Sequence, residues 1–433
     1  MRLSFCCVIV CLWFFGSVAA QDAASFWIDG QIRPRMEFRN GYKTLQSDSA
    51  TATAFIEQRS RLGLGYKNTL IELYLQAQDV RTWGSTPLVN NSNGFFTLFN
   101  AWLKIKASPF ISIKVGRQVF SYDNQRILGG LNWAAQGRAH DAVLLEYKKD
   151  SSQVALQIGA AYNAISGSLN QQAYNLAGNY KMMQFLRFHK GFKHSKFSIL
   201  VLNVGREAAD QKLYFELSAG GIFQLKFKNF QASLEGYYQY GKTTANLNTN
   251  AYLFAAKFSY HLKPLKFVLG ADFLSGTDAL DQGVENHSFN PWMGTNHIFY
   301  GHLDYFYVGS SHKNAGLLDT YAQVHYKPTS KMKLNLMYHL FYTPNLLAQT
   351  GTSVPGGLLG HEIDFVFKYK IKKYLGIQLG YAHLLATPTL ETLKPSGEAS
   401  NLNHWAWLML DVNLELFRHK IKPNLNNLTN TRF

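Results

Sequence analysis

Cysteine is nearly missing from this chain. Only Cys6, Cys7 and Cys11 occur in 433 residues, and all three lie in one apolar stretch at the N-terminus. Beyond it there is no thiol, which excludes a disulfide-stapled scaffold and a thiolate-ligated metal centre. Proline is scarce as well, at 11 residues, and charged side chains make up only 16%. After residue 20 no apolar run approaches the roughly 20 residues that a spanning helix needs. No low-complexity block or interdomain linker interrupts the chain, so it reads as one domain. The deficient charge is the negative one: 27 Asp and Glu stand against 43 Lys and Arg, a formal net charge of +16.

What is present begins with a leader. Arg2 precedes an apolar run from Leu3 to Phe15, and Val18-Ala19-Ala20 supplies small residues before Gln21. This pattern predicts a secretory signal peptide over residues 1–20, cleaved after Ala20. No Cys follows the small residues, so a lipoprotein is not expected.

Aromatic residues are abundant, at 15%, with 24 Tyr and 31 Phe, yet mean hydropathy is slightly negative. Apolar and polar residues must therefore be interleaved. In 26–39 one parity carries Phe26, Ile28, Gly30, Ile32, Pro34, Met36 and Phe38, and the other carries Trp27, Asp29, Gln31, Arg33, Arg35, Glu37 and Arg39. A period of two is a strand. Glu57, Arg59, Arg61 and Gly63 alternate in the same way with Ile56, Ser60, Leu62 and Leu64, and the pattern recurs in 251–261, 331–341 and 365–371. Pro34 has no ready place in such a strand, because proline cannot donate to a ladder.

Short breaks, mostly Lys-rich, recur at Lys67-Asn68, Ser108-Pro109, Lys148-Lys149, Phe192-Lys193, Lys228-Asn229, Lys263-Pro264, Pro328-Thr329 and Lys372-Lys373. Longer polar stretches fall between them, with two less distinct ones at 163–173 and 205–211. Short turns on one side and long loops on the other are the plan of an outer-membrane barrel, the short turns being periplasmic. The turn count predicts an all-β, transmembrane antiparallel β-barrel of about 18 strands. Residues 21–417 form it, 405–417 being the closing strand, and 418–433 read as a polar tail. Either Phe417 or Phe433 can serve as the terminal aromatic of such a chain.

Charge falls into two populations. Turn lysines are solvated or meet lipid phosphates. Arginines on the polar parity cannot face lipid, where a charge at mid-bilayer costs about 2–4 kcal/mol, so they point inward. The candidate pore-lining set is Arg33, Arg35, Arg59, Arg61, Arg81, Arg117, Arg126 and Arg138, with Glu37, Glu57, Asp79, Asp123 and Asp141 as neutralising neighbours. Arginine suits carboxylates through its planar, bidentate donors; the alternative is that these groups pair simply to brace the wall. Arg117 breaks the parity, since it falls with Ile111, Ile113 and Val115. Either Gly116 marks a bulge or Arg117 sits at the upper rim, which the loop that follows favours. That loop, 122–138, is expected to fold into the lumen as a constriction.

These residues also carry a family likeness. Val115-Gly116-Arg117-Gln118, Tyr122-Asp123, Arg126, Gly129, Trp133, Gly137-Arg138 and Asp141 resemble the alginate-export family of outer-membrane barrels. Phe289-Asn290-Pro291, Gly294-Thr295-Asn296-His297, Phe299-Tyr300-Gly301 and Asp304-Tyr305-Phe306 resemble its Bacteroidetes branch. So do Arg33-Pro34-Arg35, Glu57-Gln58-Arg59-Ser60-Arg61 and Gln78-Asp79-Val80-Arg81. The likeness spans roughly 26–417. It implies an 18-stranded barrel with a narrow, Arg/Lys-lined pore for an anionic uronate polysaccharide.

Other constellations are weak. His287, His297, His302 and His312 share the longest loop without a metal-ligand spacing. There is no Walker loop, dinucleotide fingerprint or Gly-x-Ser-x-Gly elbow, so no enzyme, metal or cofactor is expected. Basic charge on alternating strands, in this compartment, does not point to nucleic acid. The expected function is export of an anionic polysaccharide across the outer membrane. A general porin for small anions or nutrients is the main alternative, and an adhesion or structural barrel the third. Expected partners are the polymer or small anions, outer-membrane lipid and periplasmic export proteins.

Overall fold

The structure is a computed structural model. It describes residues 23–87, 96–167, 169–170, 172–174, 176, 178–281, 283, 285–306, 314–349 and 352–421. The leader, His312, Phe433 and most of the polar tail lie outside the described residues.

Alternating sequence becomes antiparallel strand around the barrel. The strands are β1 (Ala24–Asn40), β2 (Thr53–Lys67), β3 (Ile71–Thr82), β4 (Phe96–Lys106), β5 (Ile111–Gln118), β6 (His140–Lys149), β7 (Val154–Tyr162), β8 (Met182–Gly191), β9 (Ser195–Glu207), β10 (Leu213–Phe227) and β11 (Phe230–Lys242). They continue as β12 (Asn248–Leu262), β13 (Leu265–Leu274), β14 (Glu285–Asn286), β15 (Leu317–Tyr326), β16 (Met332–Thr343), β17 (Leu347–Gln349), β18 (Thr352–Val354), β19 (Gly357–Lys372), β20 (Leu375–Ala386) and β21 (Asn403–Ile421). β14, β17 and β18 are short loop strands, the two-residue β14 pairing parallel to β12, and one short helix, α1 (Pro388–Leu393), lies before β21. The other eighteen pair neighbour to neighbour, and β1 pairs with β21 to close the barrel. Closure satisfies the backbone without any disulfide. β21 extends to Ile421, so 418–421 belong to the closing strand and not to a tail.

All eight short breaks are turns on one side of the barrel, and the long stretches are loops on the other. Parity follows the sequence. Ile32, Met36 and Leu62 are about half exposed on the outer face, whereas Arg33, Arg35 and Arg59 are buried on the inner one. Pro34 also finds its explanation. The β1–β21 ladder runs from Ala24 to Ile32 and resumes at Arg35, omitting Arg33 and Pro34. The missing N–H falls where that ladder lapses.

The apolar core lies inside the barrel. Two loops, 119–139 and 275–306, supply Phe120, Ile127, Leu128, Phe289, Met293, Leu303 and Tyr305. These pack on lumen-facing Leu200, Leu202, Leu253, Phe341, Leu384 and Trp405. A polar or empty lumen could not bury such side chains; the loops remove them from water at about 25 cal/mol per Å².

Candidate functional site: a plugged, cationic lumen

Register brings the first arginines together. Arg33 stands opposite Arg59, Gln31 opposite Arg61 and Arg35 opposite Glu57. All four guanidinium groups point inward; those of Arg33, Arg35 and Arg59 meet the loop 132–135, and that of Arg61 reaches it through Gln78. Arg33 donates to Asn132 O (2.8 Å) and Trp133 O (3.1 Å), and Arg35 to Trp133 O (2.7 Å). Arg59 donates to Asn132 Oδ1 (3.1 Å) and to Gln31 Oε1 (2.9 Å). Arg61 donates to Gln78 Oε1 (2.7 Å), and Gln78 donates in turn to Gln136 O (3.1 Å). Arg35 also lies 4.3 Å over the Trp133 ring, and Arg61 3.6 Å over Phe99. The carboxylates interleave as the spacing suggests: Arg35 pairs with Glu37 (2.7 Å) and Glu57 (2.9 Å). Glu37 is fully buried and accepts from Trp405 Nε1 as well (2.9 Å).

The same loop reaches the opposite wall. Arg126 pairs with Glu235 on β11 (3.0 Å) and Asp272 on β13 (2.8 Å), and donates to the Tyr300 hydroxyl (2.7 Å). Asp123 pairs with Arg187 on β8 (2.6 Å). The loop 275–306 locks onto this span through the bonds Gly129 N–H to Met293 O (2.9 Å) and Thr295 N–H to Gln125 O (2.8 Å). Arg138 donates to Gly294 O (3.2 Å), and the Trp133 and His297 rings stack at 4.5 Å. On its far side the second loop is held by Leu303 N–H to Glu362 Oε1 (2.8 Å) and His302 N–H to Asp364 Oδ2 (3.2 Å). The two loops make a plug across the lumen, with 122–138 folded inward.

Electrostatics within the plug are matched. Burial alone would raise Asp304, but His297 Nδ1 at 2.8 Å and the Tyr42 hydroxyl hold its pKa below the usual carboxylate value. Burial pushes His302 well below 6.5, and His297 and His339 add to the effect. Among the described residues no cluster of three or more His, Cys, Asp or Glu side chains is arranged to hold a metal.

Four of the sequence-derived candidates are not brought to the lumen. Arg81 and Asp79 pair with one another on the outward parity, opposite Gln58 and Ser60 of β2. Arg117 pairs with Asp141 (2.8 Å) across β5 and β6, both well exposed, at the loop end of the barrel. The β4–β5 register is continuous through Gly116, so Arg117 is a rim residue and no bulge resets its face.

Sequence reading missed the acids that receive the plug, Glu235, Asp272, Glu362 and Asp364, although each lies on its strand's inward parity. It also assigned too little to lysine. Lys196, Lys226, Lys257, Lys266, Lys333 and Lys368 stand on inward positions near the short-turn end. All but the half-buried Lys266 are exposed. Some turn-side lysines pair with acids, as in Lys67–Glu72 and Lys104–Glu146; among the described residues none of these six is in such a pair. Lys257 and Lys368 border a cavity of about 310 Å³ beneath the plug, with Arg126, Trp133, Tyr321 and Trp407.

Residues 26–399 match the profile of a family described as alginate export. No curated protein matches. Solved barrels resemble the fold at low identity. Pseudomonas aeruginosa OpdK with vanillate is 12% identical, at TM-score 0.60, over 90% of this chain and 98% of that one. Pseudomonas aeruginosa OpdL is 11% identical, at TM-score 0.63, over 90% and 99%. Acinetobacter baumannii OccAB4 is 12% identical, at TM-score 0.60, over 92% and 99%.

Proposed function

The chain belongs to the alginate-export family of outer-membrane β-barrels, and from that premise we propose that it exports a carboxylated saccharide, a uronate polymer, through its cationic lumen. Fold and family are those of a channel. The observation that carries the finer reading is the inward lysine row on β9–β19, exposed except at Lys266 and, among the described residues, in no ion pair with an acid. Ammonium groups in a concave, low-dielectric wall concentrate anions at its mouth, and rings of positive side chains make a pore favour them. Flexible lysines also bind weakly enough to release.

The arginines enter this reading as holders of the plug. Arg33 and Arg59 give their outer donors to neutral oxygens of 132–135, whereas Arg35 is already paired with Glu37 and Glu57. A carboxylate forms a stronger, charge-assisted bond to the same fork. An arriving uronate therefore competes for Arg33 and Arg59 and frees the loop, so that cargo opens its own path. The test is planar-bilayer conductance with salt gradients, repeated with uronate oligomers and neutral oligomers of equal length. Anion selectivity and block by the uronates alone are expected, both weakened in Lys257→Gln/Lys368→Gln. A cation-selective pore, or equal block by both oligomers, defeats the reading.

A second reading is uptake of small anions. The plug leaves a cavity of about 310 Å³, the scale of one small ring, and vanillate is a compact aromatic carboxylate in the OpdK structure. Saturable passage of monocarboxylates without block by oligomers favours it.

A further inference from the structure

β21 outruns its neighbour. Its last partner on β20 is Val412, opposite Leu375, with one more bond from Asn413 N–H to Tyr374 O. On its other side β1 follows it to Ile421, opposite Ala24, with one bulge at Leu416. Among the described residues, the segment from Leu414 to Ile421 has a partner strand on one side only. Exposure agrees: every residue from Asn413 to Lys420 is exposed, whichever face its parity assigns. The segment is nevertheless held in place. β2 backs β1 as far as Ser25, opposite Lys67. Phe417 meets Phe26 at 6.2 Å, and the Arg418 guanidinium lies 5.3 Å over the Trp27 ring. β2, β1 and β21 thus form a three-stranded tab at the short-turn, periplasmic end, with a free edge toward the β19–β20 turn.

A free edge presents unpaired N–H and C=O groups to any extended chain. The surroundings set the sign of what it accepts. Lys370, Lys372 and Lys373 are exposed at the adjacent turn, and Arg418, His419 and Lys420 lie on the edge strand itself. The acid among them, Glu415, is paired with Arg418 at 2.7 Å. Cations on an edge guard against self-pairing, and here they repel a second copy of the same tab. They attract a strand of opposite charge. We propose that Leu414–Ile421 is a strand-addition site for an extended, acidic segment of a periplasmic partner. The backbone ladder supplies affinity, the lysines select acidic sequence, and Leu414 and Leu416, which share the outer face, offer the alternating apolar contacts of such complexes. This does not depend on the identity of the cargo.

The experiment uses the full-length barrel in detergent and a labelled peptide of alternating Val and Glu. Two controls accompany it: the same peptide N-methylated at every second residue, and its Val/Lys counterpart. Binding of the Val/Glu peptide alone is expected, and Lys372→Glu/Lys373→Glu/Lys420→Glu should weaken it about tenfold, roughly 1.4 kcal/mol, with heat-modifiable gel mobility retained. Equal binding after N-methylation overturns the proposal, because charge without a ladder then suffices. Absence of binding overturns it too, the edge then being covered by the chain's own ends. If the triple variant does not fold, the comparison of peptides on the unaltered barrel still decides.

Discussion

Arg33 and Arg59 face each other across β1 and β2, and both donate to one residue, Asn132: Arg33 to its carbonyl oxygen at 2.8 Å, Arg59 to its side-chain oxygen at 3.1 Å. Two like charges are held side by side because a single loop residue accepts from both. The loop and the arginines therefore fix each other.

Replacing both with serine should leave the strands paired and free the loop. Arg33→Ser/Arg59→Ser is expected to assemble as a heat-modifiable barrel with a several-fold larger single-channel conductance. Conductance equal to that of the unaltered protein would show that the plug is held without them.

Arg126 is a different case. It is buried between Glu235 and Asp272, and Arg126→Met leaves two acids facing an apolar side chain. Breaking a buried pair costs about 3–5 kcal/mol. Chemical unfolding in detergent should show a loss of that order, partly restored by adding Glu235→Gln and Asp272→Asn. A loss below about 1 kcal/mol, the scale of an exposed pair, would mean that the span is not anchored there.

Parity makes a sharper prediction at neighbouring positions. Leu62 is 49% exposed on the outer face, and Leu62→Arg should cost about 2–4 kcal/mol near mid-bilayer. Arg61→Leu gives up one bond to Gln78 and should assemble better. The yield of folded barrel on unboiled gels ranks the two, and the reverse order is incompatible with this inward and outward assignment.

The contact between Tyr42 and Asp304 is pH-dependent in a determinate direction. The Asp304 pKa lies below its ordinary value of about 3.8, so the stabilisation is complete above that value and is lost as pH falls through the lower, folded one. Tyr42→Phe removes a donor to the carboxylate and raises its pKa. The pH at which conductance begins to rise on acidification should move upward in that variant. An unchanged or lower onset separates Asp304 from the plug.

Much of the barrel is legible in the sequence because side-chain period and turn chemistry are local. Two-residue alternation assigns Arg33 and Ile32 to opposite faces, and eight short breaks imply eighteen strands. The same rule fails at strand ends. Arg81 and Arg117 lie on outward positions near the loop side, where a charge no longer meets lipid and parity loses its force. The plug is legible only in part. Arg126 lies in a loop expected to fold inward, but its partners Glu235 and Asp272 are more than a hundred positions away on strands with no local mark of the contact. Lys368, between Phe367 and Tyr369, has the inward parity in the sequence itself, but its closeness to the Lys-rich turn at Lys372-Lys373 makes it indistinguishable there from a lysine that meets lipid phosphate.

The loop 119–139 touches β1 and β2 at one end and β11 and β13 at the other, nearly half the circumference apart. Geometrically it is a chord across a ring. A hollow cylinder of strands goes from circle to ellipse by bending at the contacts between neighbouring strands, with the register unchanged. A ring with a chord resists ovalisation in either sense, because narrowing the perpendicular diameter lengthens the chord. Sideways pressure on the barrel is therefore carried by the bonds at Asn132 and Arg126 as well as by the strand ladder.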